Sequence, residues 1–321
     1  DFKINNHPFI KDLYVKIKKY NKLNINIDDI VSITPFIYDN WTNLLNNRFI
    51  SDSIRDDINK KIKNIFSANY GNNHVYLFSD HKKITNDIKI ILERLLRIVF
   101  FMKKLFNNEK ENHIYIFFST KLKKFPKKNM KLGSDNCNSG LTYYPDDDEN
   151  GVIVLFRKEE YIKVLIHELI HSLKGDSLLW DKDSNNEIYK KYCMHLFQFD
   201  KININETYTE FLASIINQLF ILVSVEAPLS NINKTIKLES IYSLLKVKDI
   251  FKHYDYKDLN KIYRTDGCKK FDQGTGVMSY YIFKTALYMN IIPTLNFYRS
   301  CTKKCKLDGI KCKDNFLALV N

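Results

Sequence analysis

The run His167-Glu168-Leu169-Ile170-His171 constrains this 321-residue chain more than any other feature. Val164, Leu165 and Ile166 precede it, Leu169 and Ile170 fill its middle, and Leu173 follows. No proline interrupts it, so it reads as a helix buried on most of its surface. Two imidazoles in such a helix are costly to bury without partners. Residues four apart share a helix face, so both rings stand side by side, at a separation able to hold one zinc ion. Glu168, one position after the first histidine, reaches a water on that ion and can act as general base. Zinc lowers the pKa of such a water towards ~7. The plain alternative is a core helix with two incidental histidines. With only 8 His in the chain, a chance match is expected in about one such chain in a hundred.

A third ligand must come from elsewhere. The metzincin pattern needs Gly at 174 and His at 177, where this chain has Lys174 and Ser177, so that class fails. Downstream, Asn205-Glu206-Thr207-Tyr208-Thr209-Glu210 opens another helix. Glu206 and Glu210 are four apart, again on one face. One carboxylate can bind zinc while the other accepts the N–H of a ligating imidazole. The competing view is an acidic first turn that favours the helix dipole. His195 is another possible ligand, but its neighbours Leu196, Phe197 and Phe199 favour a core or surface helix position.

HELIH followed by NETYTE resembles the gluzincin branch of zinc metallopeptidases, the thermolysin-like group. The resemblance implies one catalytic zinc, with His167, His171 and Glu206 as ligands and Glu168 as base. It makes Glu210 a second carboxylate that orients a ligand, His167. It implies a zincin-like fold, in which an edge strand of a small sheet binds extended peptide by β-augmentation. Ser139–Tyr144 or Val152–Arg157 would fill that role. Gluzincins usually add a Tyr or His that stabilises the oxyanion. Tyr280, Tyr281 and His253 are the candidates, with Tyr208 on the ligand helix, although each of 20 Tyr is more often structural. A weaker likeness is to uncharacterised metallopeptidase-like proteins of large DNA viruses. It rests on Asn138-Ser139-Gly140-Leu141-Thr142, on Phe156-Arg157-Lys158-Glu159-Glu160 and on Ser279-Tyr280-Tyr281-Ile282-Phe283-Lys284.

Around the motif the chain reads as α+β. Gly at 9 and Pro at 6 are scarce, which argues against many tight turns and for long helices. Residues 1–70 read as an N-terminal helical region, with helical spacing in Phe9–Ile17, Trp41–Phe49 and Ile54–Phe66. Residues 71–175 read as an α+β catalytic sub-domain with a small mixed sheet. Its expected elements are strands His74–Phe78, His113–Ser119, Ser139–Tyr144 and Val152–Phe156, and helices Ile84–Phe106 and Glu159–Leu173. The acidic turn before Gly151 marks a hairpin. Residues 176–321 read as a helical sub-domain carrying the third ligand, with an active-site cleft between the two halves. Its expected helices are Glu187–Phe199, Glu206–Ser224, Ile236–His253, Thr275–Asn290 and Pro293–Cys301.

Cys268, Cys301, Cys305 and Cys312 cluster late in the chain, while Cys137 and Cys193 are isolated. Their spacing contains no Cys-x-x-Cys pair. A structural zinc or disulfide cluster competes with reduced cytosolic thiols. Phe211–Val225, the most apolar run, contains Asn217 and Gln218 and is too short and polar for a comfortable membrane span. Asp1–Tyr20 has no apolar leader block. That points to the cytoplasm, or to host cytoplasm or a virion if the chain is viral. A removed signal stays open because the chain does not begin with Met.

Lys+Arg at 50 against Asp+Glu at 37 gives a formal charge of +13. The excess predicts solubility and anionic partners. The lysines are scattered and no compact basic-aromatic motif stands out, so nucleic acid is expected only as a non-specific electrostatic partner. Three functions therefore compete: a zinc peptidase acting on protein or peptide, an inactive binding protein that kept the zincin fold, and a basic nucleic-acid-binding protein. Arg264 and Arg299 are candidates for holding a substrate carboxylate, though no motif fixes either.

Overall fold

The computed structural model describes residues 3–25, 31–33, 41–143, 150–177, 203–256 and 273–303. In chain order the described elements are α1 (Pro8–Asn21), β1 (Val31–Ile33), α2 (Trp41–Leu45), α3 (Asp52–Lys61), β2 (Asn64–Tyr70), β3 (Asn73–Ser79), α4 (Asn86–Phe106), β4 (Asn112–Ser119), α5 (Ser134–Cys137), β5 (Gly140–Tyr143), β6 (Gly151–Arg157), α6 (Tyr161–Ser172), α7 (Ile204–Ser224), α8 (Ile232–His253), a π-helical segment (Met278–Phe283), α9 (Lys284–Met289) and α10 (Ile291–Lys303). The fold is mixed α+β. It divides into two compact units, residues 16–124 with 137–175, and residues 1–15 with 125–136 and 176–321.

The first unit is built on one six-stranded sheet in the order β1-β2-β3-β4-β6-β5. β3, β4 and β6 run parallel, while β1, β2 and β5 pair antiparallel at the flanks. One face, with Ile65, Phe78, Phe117, Val154 and Phe156, packs on Ile50, Ile54 and Ile58. The opposite face buries Phe66, Leu77, Ile114, Ile116, Ile153 and Leu155, on the side where α4 and α6 lie against the strands. A strand covered on both faces needs apolar residues at successive positions. That accounts for the unbroken runs Ile114–Phe117 and Ile153–Phe156. α4 starts where Thr85 Oγ1 accepts the Ile88 N–H at 3.3 Å and ends at Asn107, whose φ of 49° closes the last turn.

Three expectations for residues 1–175 change. The helix expected over Ile54–Phe66 stops at Lys61, and Ile65 and Phe66 lie in β2. β2 and β3 are joined by the two residues Gly71-Asn72. Gly71 takes a φ of +59°, as such tight hairpins require. The N-terminal region 1–70 is therefore not a separate helical body. Residues 16–70 supply two strands to the sheet, and residues 1–15 belong to the other unit. Finally, Val152–Arg157 is no edge strand, since β6 pairs with β4 on one side and β5 on the other. β5 is an edge of the sheet among the described residues.

The helical unit centres on α7, which is buried along almost its whole length. α8, α9 and the π-helical segment pack on it. Tyr298 and Tyr208 stack with ring centres 4.6 Å apart, and Tyr298 Oη donates to the Tyr208 carbonyl at 2.7 Å. Ile204–Ser224 is long and apolar enough to cross a membrane by length and composition, yet 83% of that window is buried inside the protein, as for a core helix. The helix expected over Thr275–Asn290 is π-helical from Met278 to Phe283 and α-helical only from Lys284 to Met289. The expected helix Glu187–Phe199, with Cys193 and His195, lies outside the described residues. So do Arg264, Cys268, Cys305, Cys312 and the side chain of Cys301.

Candidate metal centre

α6 carries His167, Glu168 and His171, all buried. Its end is fixed by backbone geometry. The Gly175 N–H donates to the Ile170 carbonyl at 2.7 Å and the Lys174 N–H to that of His171 at 2.9 Å. Lys174, at φ 55°, is the left-handed residue this helix stop requires. Two glycines let α6 lie close to the sheet. A Cβ at Gly140 would stand 2.7 Å from Val164 Cγ1 and 3.2 Å from Glu168 Cγ. A Cβ at Gly151 would stand 2.3 Å from Ser172 Oγ and 2.4 Å from Asn112 Oδ1. At that approach Ser172 donates to Asn112 at 2.6 Å, tying the end of α6 to β4.

The Nε2 atoms of His167 and His171 lie 3.1 Å apart, with ring planes 76° from each other. Two nitrogens bound ~2.0–2.1 Å from a tetrahedral zinc stand about 3.3 Å apart. The pair therefore fits a shared ion, and a shared cation or proton is what two opposed ring nitrogens need. Thr142 Oγ1 lies 2.7 Å from Glu168 Oε2 and 3.1 Å from the Glu168 carbonyl oxygen. The hydroxyl thus donates to the carboxylate and sets its rotamer. In the sequence Thr142 stands out only as part of the viral likeness. Its role follows from being two residues after Gly140 on the same strand, hence on the same face.

In the helical unit, Glu206 sits half-buried in the first turn of α7, and Glu210 is buried one turn later. Lys284 Nζ, itself buried, lies 3.3 Å from Glu210 Oε1 and 3.3 Å from Glu239 Oε1. Lys284 closes the run Ser279–Lys284. Ser279 opens it, and donates from Oγ to the Asn203 carbonyl at 2.7 Å, just ahead of α7. Tyr280 and Tyr281 ride on the π-helical segment, a geometry often found at functional sites. His253 is engaged elsewhere, with its Nε2 lying 2.7 Å from the Met130 carbonyl, which can only accept. The ring therefore donates there and anchors the 127–132 loop to the end of α8. Tyr208 serves the aromatic stack described above.

No family model matches the chain, and no solved structure does. The chain is 27% identical over 175 residues to an uncharacterised protein of Acanthamoeba polyphaga mimivirus. That alignment covers 52% of this chain and 43% of the viral protein, so the chain spans less than half of its relative. The relative comes from a large DNA virus, in keeping with the weaker likeness read from the sequence.

Proposed function

We propose that the chain is a zinc-dependent peptidase of zincin type. The observation that carries this reading is the His167–His171 pair, with Nε2 atoms 3.1 Å apart on a buried helix beside an anchored Glu168. In this reading His167 and His171 hold the ion, Glu206 completes the ligand set, and Glu210 orients a ligand. Zinc held there supplies a Lewis acid that polarises a carbonyl and makes water acidic enough to lose a proton near neutral pH. Glu168 takes that proton on one carboxylate oxygen while Thr142 holds the other. It then delivers the proton to the departing amine. Lys284 and Glu239 keep Glu210 in a fixed rotamer. β5, at the sheet edge beside α6, is the strand on which an extended peptide would lie. With His253 committed to Met130, Tyr280 and Tyr281 are the candidates for donating to the oxyanion.

The test is removal and return of the metal. Peptide-library hydrolysis should vanish on dialysis against a chelator and return when one equivalent of Zn2+ is added. Hydrolysis that persists in metal-free protein would rule the reading out, and a zinc-loaded chain that cuts nothing would favour an inactive binding protein.

A further inference from the structure

A second group of metal-ligating side chains lies at the start of the parallel strands β3 and β4, and the peptidase reading does not use it. His74 and His113 are register partners on these strands. Glu111 is two residues before His113, so it reaches the same face. Glu111 Oε1 stands 2.7 Å from His113 Nε2 and 3.3 Å from His74 Nε2. The three ligand atoms all lie within 4.8 Å of one another. Each side chain is between about a quarter and a third exposed (26% for His74, 23% for His113, 33% for Glu111), so an ion can reach them from solvent.

The surroundings prepare these rings as ligands. Asn69 Oδ1, from the neighbouring β2, lies 2.9 Å from His74 Nδ1. An amide oxygen only accepts, so Nδ1 carries the proton and Nε2 keeps its lone pair. This is the outer hydrogen bond that fixes the tautomer of metal-bound histidines. His113 Nε2 is within hydrogen-bond distance of Glu111 Oε1, and a metal ion bound there takes the place of the proton on that ring nitrogen. The rings stack 13° from parallel with centres 4.7 Å apart. A shared ion asks one ring to turn about its χ2, a broad and soft torsion.

We propose that His74, Glu111 and His113 form a second metal site, which takes a borderline divalent ion such as zinc and clamps the start of β3 to the start of β4. Two imidazoles and one carboxylate are a donor set suited to zinc. The residues sit at the end of a sheet face rather than on a catalytic helix, and the expected role is structural.

Zinc per chain, read by native mass spectrometry after loading with Zn2+, tests the proposal. Replacing both rings, as His74→Ala/His113→Ala, should lower the count by one. The same drop should occur in the wild-type chain and in a His167→Ala/His171→Ala chain. That second background separates this site from the proposed peptidase centre, since loss of either leaves the other measurable. Glu111→Gln keeps the shape and should weaken zinc binding at least about tenfold in calorimetric titration. In the His167→Ala/His171→Ala background zinc should also raise the thermal midpoint, by about 5 °C at a hundredfold excess over Kd, and should no longer do so once His74→Ala/His113→Ala is added. An unchanged zinc count in both backgrounds would overturn the site, as would a Glu111→Gln chain that binds as tightly as wild type.

Discussion

Thr142 and Glu168 are 26 residues apart and meet at 2.7 Å, so the proposed general base is held by a hydroxyl on another element. A hydrogen bond to a charged group contributes about 1.5–3 kcal/mol. Thr142→Val keeps the branched shape that suits a strand and deletes the donor. Its kcat/KM on peptide should fall about tenfold or more, at unchanged zinc content; an unchanged kcat/KM would show that the hydroxyl does not position the base. Lys284 makes a separate residue-scale claim. Removing one partner from a buried ion pair costs about 3–5 kcal/mol, and here one ammonium faces both Glu210 and Glu239. Lys284→Met should therefore lower stability by several kcal/mol in denaturant unfolding. The adjacency of His167 and His171 was readable from the sequence, because four-residue spacing on a helix fixes which side chains adjoin. Thr142 and Lys284 were not, since each meets its partner only through tertiary packing.

Between elements, the distance from α6 to the sheet is set by Gly140 and Gly151. Gly140→Ala places a methyl group 2.7 Å from Val164 Cγ1, so strand or helix must shift, at a cost of about 1–3 kcal/mol. Thermal unfolding should register that loss, and peptide turnover should fall with it because Glu168 moves off Thr142. α1 offers a pH-dependent claim. His7 precedes Pro8, and its Nδ1 accepts the Phe9 N–H at 3.3 Å while Nε2 lies 3.0 Å from Asn296 Oδ1. Burial first, with Arg299 adding to it, holds this imidazole below the ordinary 6.5. The unfolded chain then binds the proton more tightly. Stability from neutral His7 is full above pH 6.5 and is lost as pH falls through 6.5 towards the lower folded value. His7→Asn keeps a capping oxygen, so the difference in unfolding free energy between the two chains should shrink on acidification. A difference that stays constant from pH 7.5 to 5 would contradict this assignment. At this scale the long helices and the buried strands were legible from apolar periodicity. β2 was not, because Ile62, Ile65 and Phe66 continue the helical spacing of α3, and only Gly71-Asn72 marks the hairpin. The π-helical segment escaped for a similar reason: one extra residue per turn barely alters the apolar pattern over six residues.

Across the whole molecule, sequence order is a poor guide to grouping. Residues 1–15 and 125–136 join the helical unit, whose bulk begins at residue 176; no composition shift marks the first boundary, while the lysine-rich run 121–131 with Pro126 spans the second. The charge of +13 is likewise a property of the whole chain. Any nucleic-acid binding should fall steeply with salt, as expected of phosphate attraction alone, and the peptidase reading does not depend on it. That reading depends on Glu168. The most direct measurement is the count of new N-termini released from a peptide library by zinc-loaded wild type and by zinc-loaded Glu168→Gln. We expect both chains to hold the same zinc and the variant to cut at least about a hundredfold more slowly; equal cleavage by the two chains would contradict the mechanism.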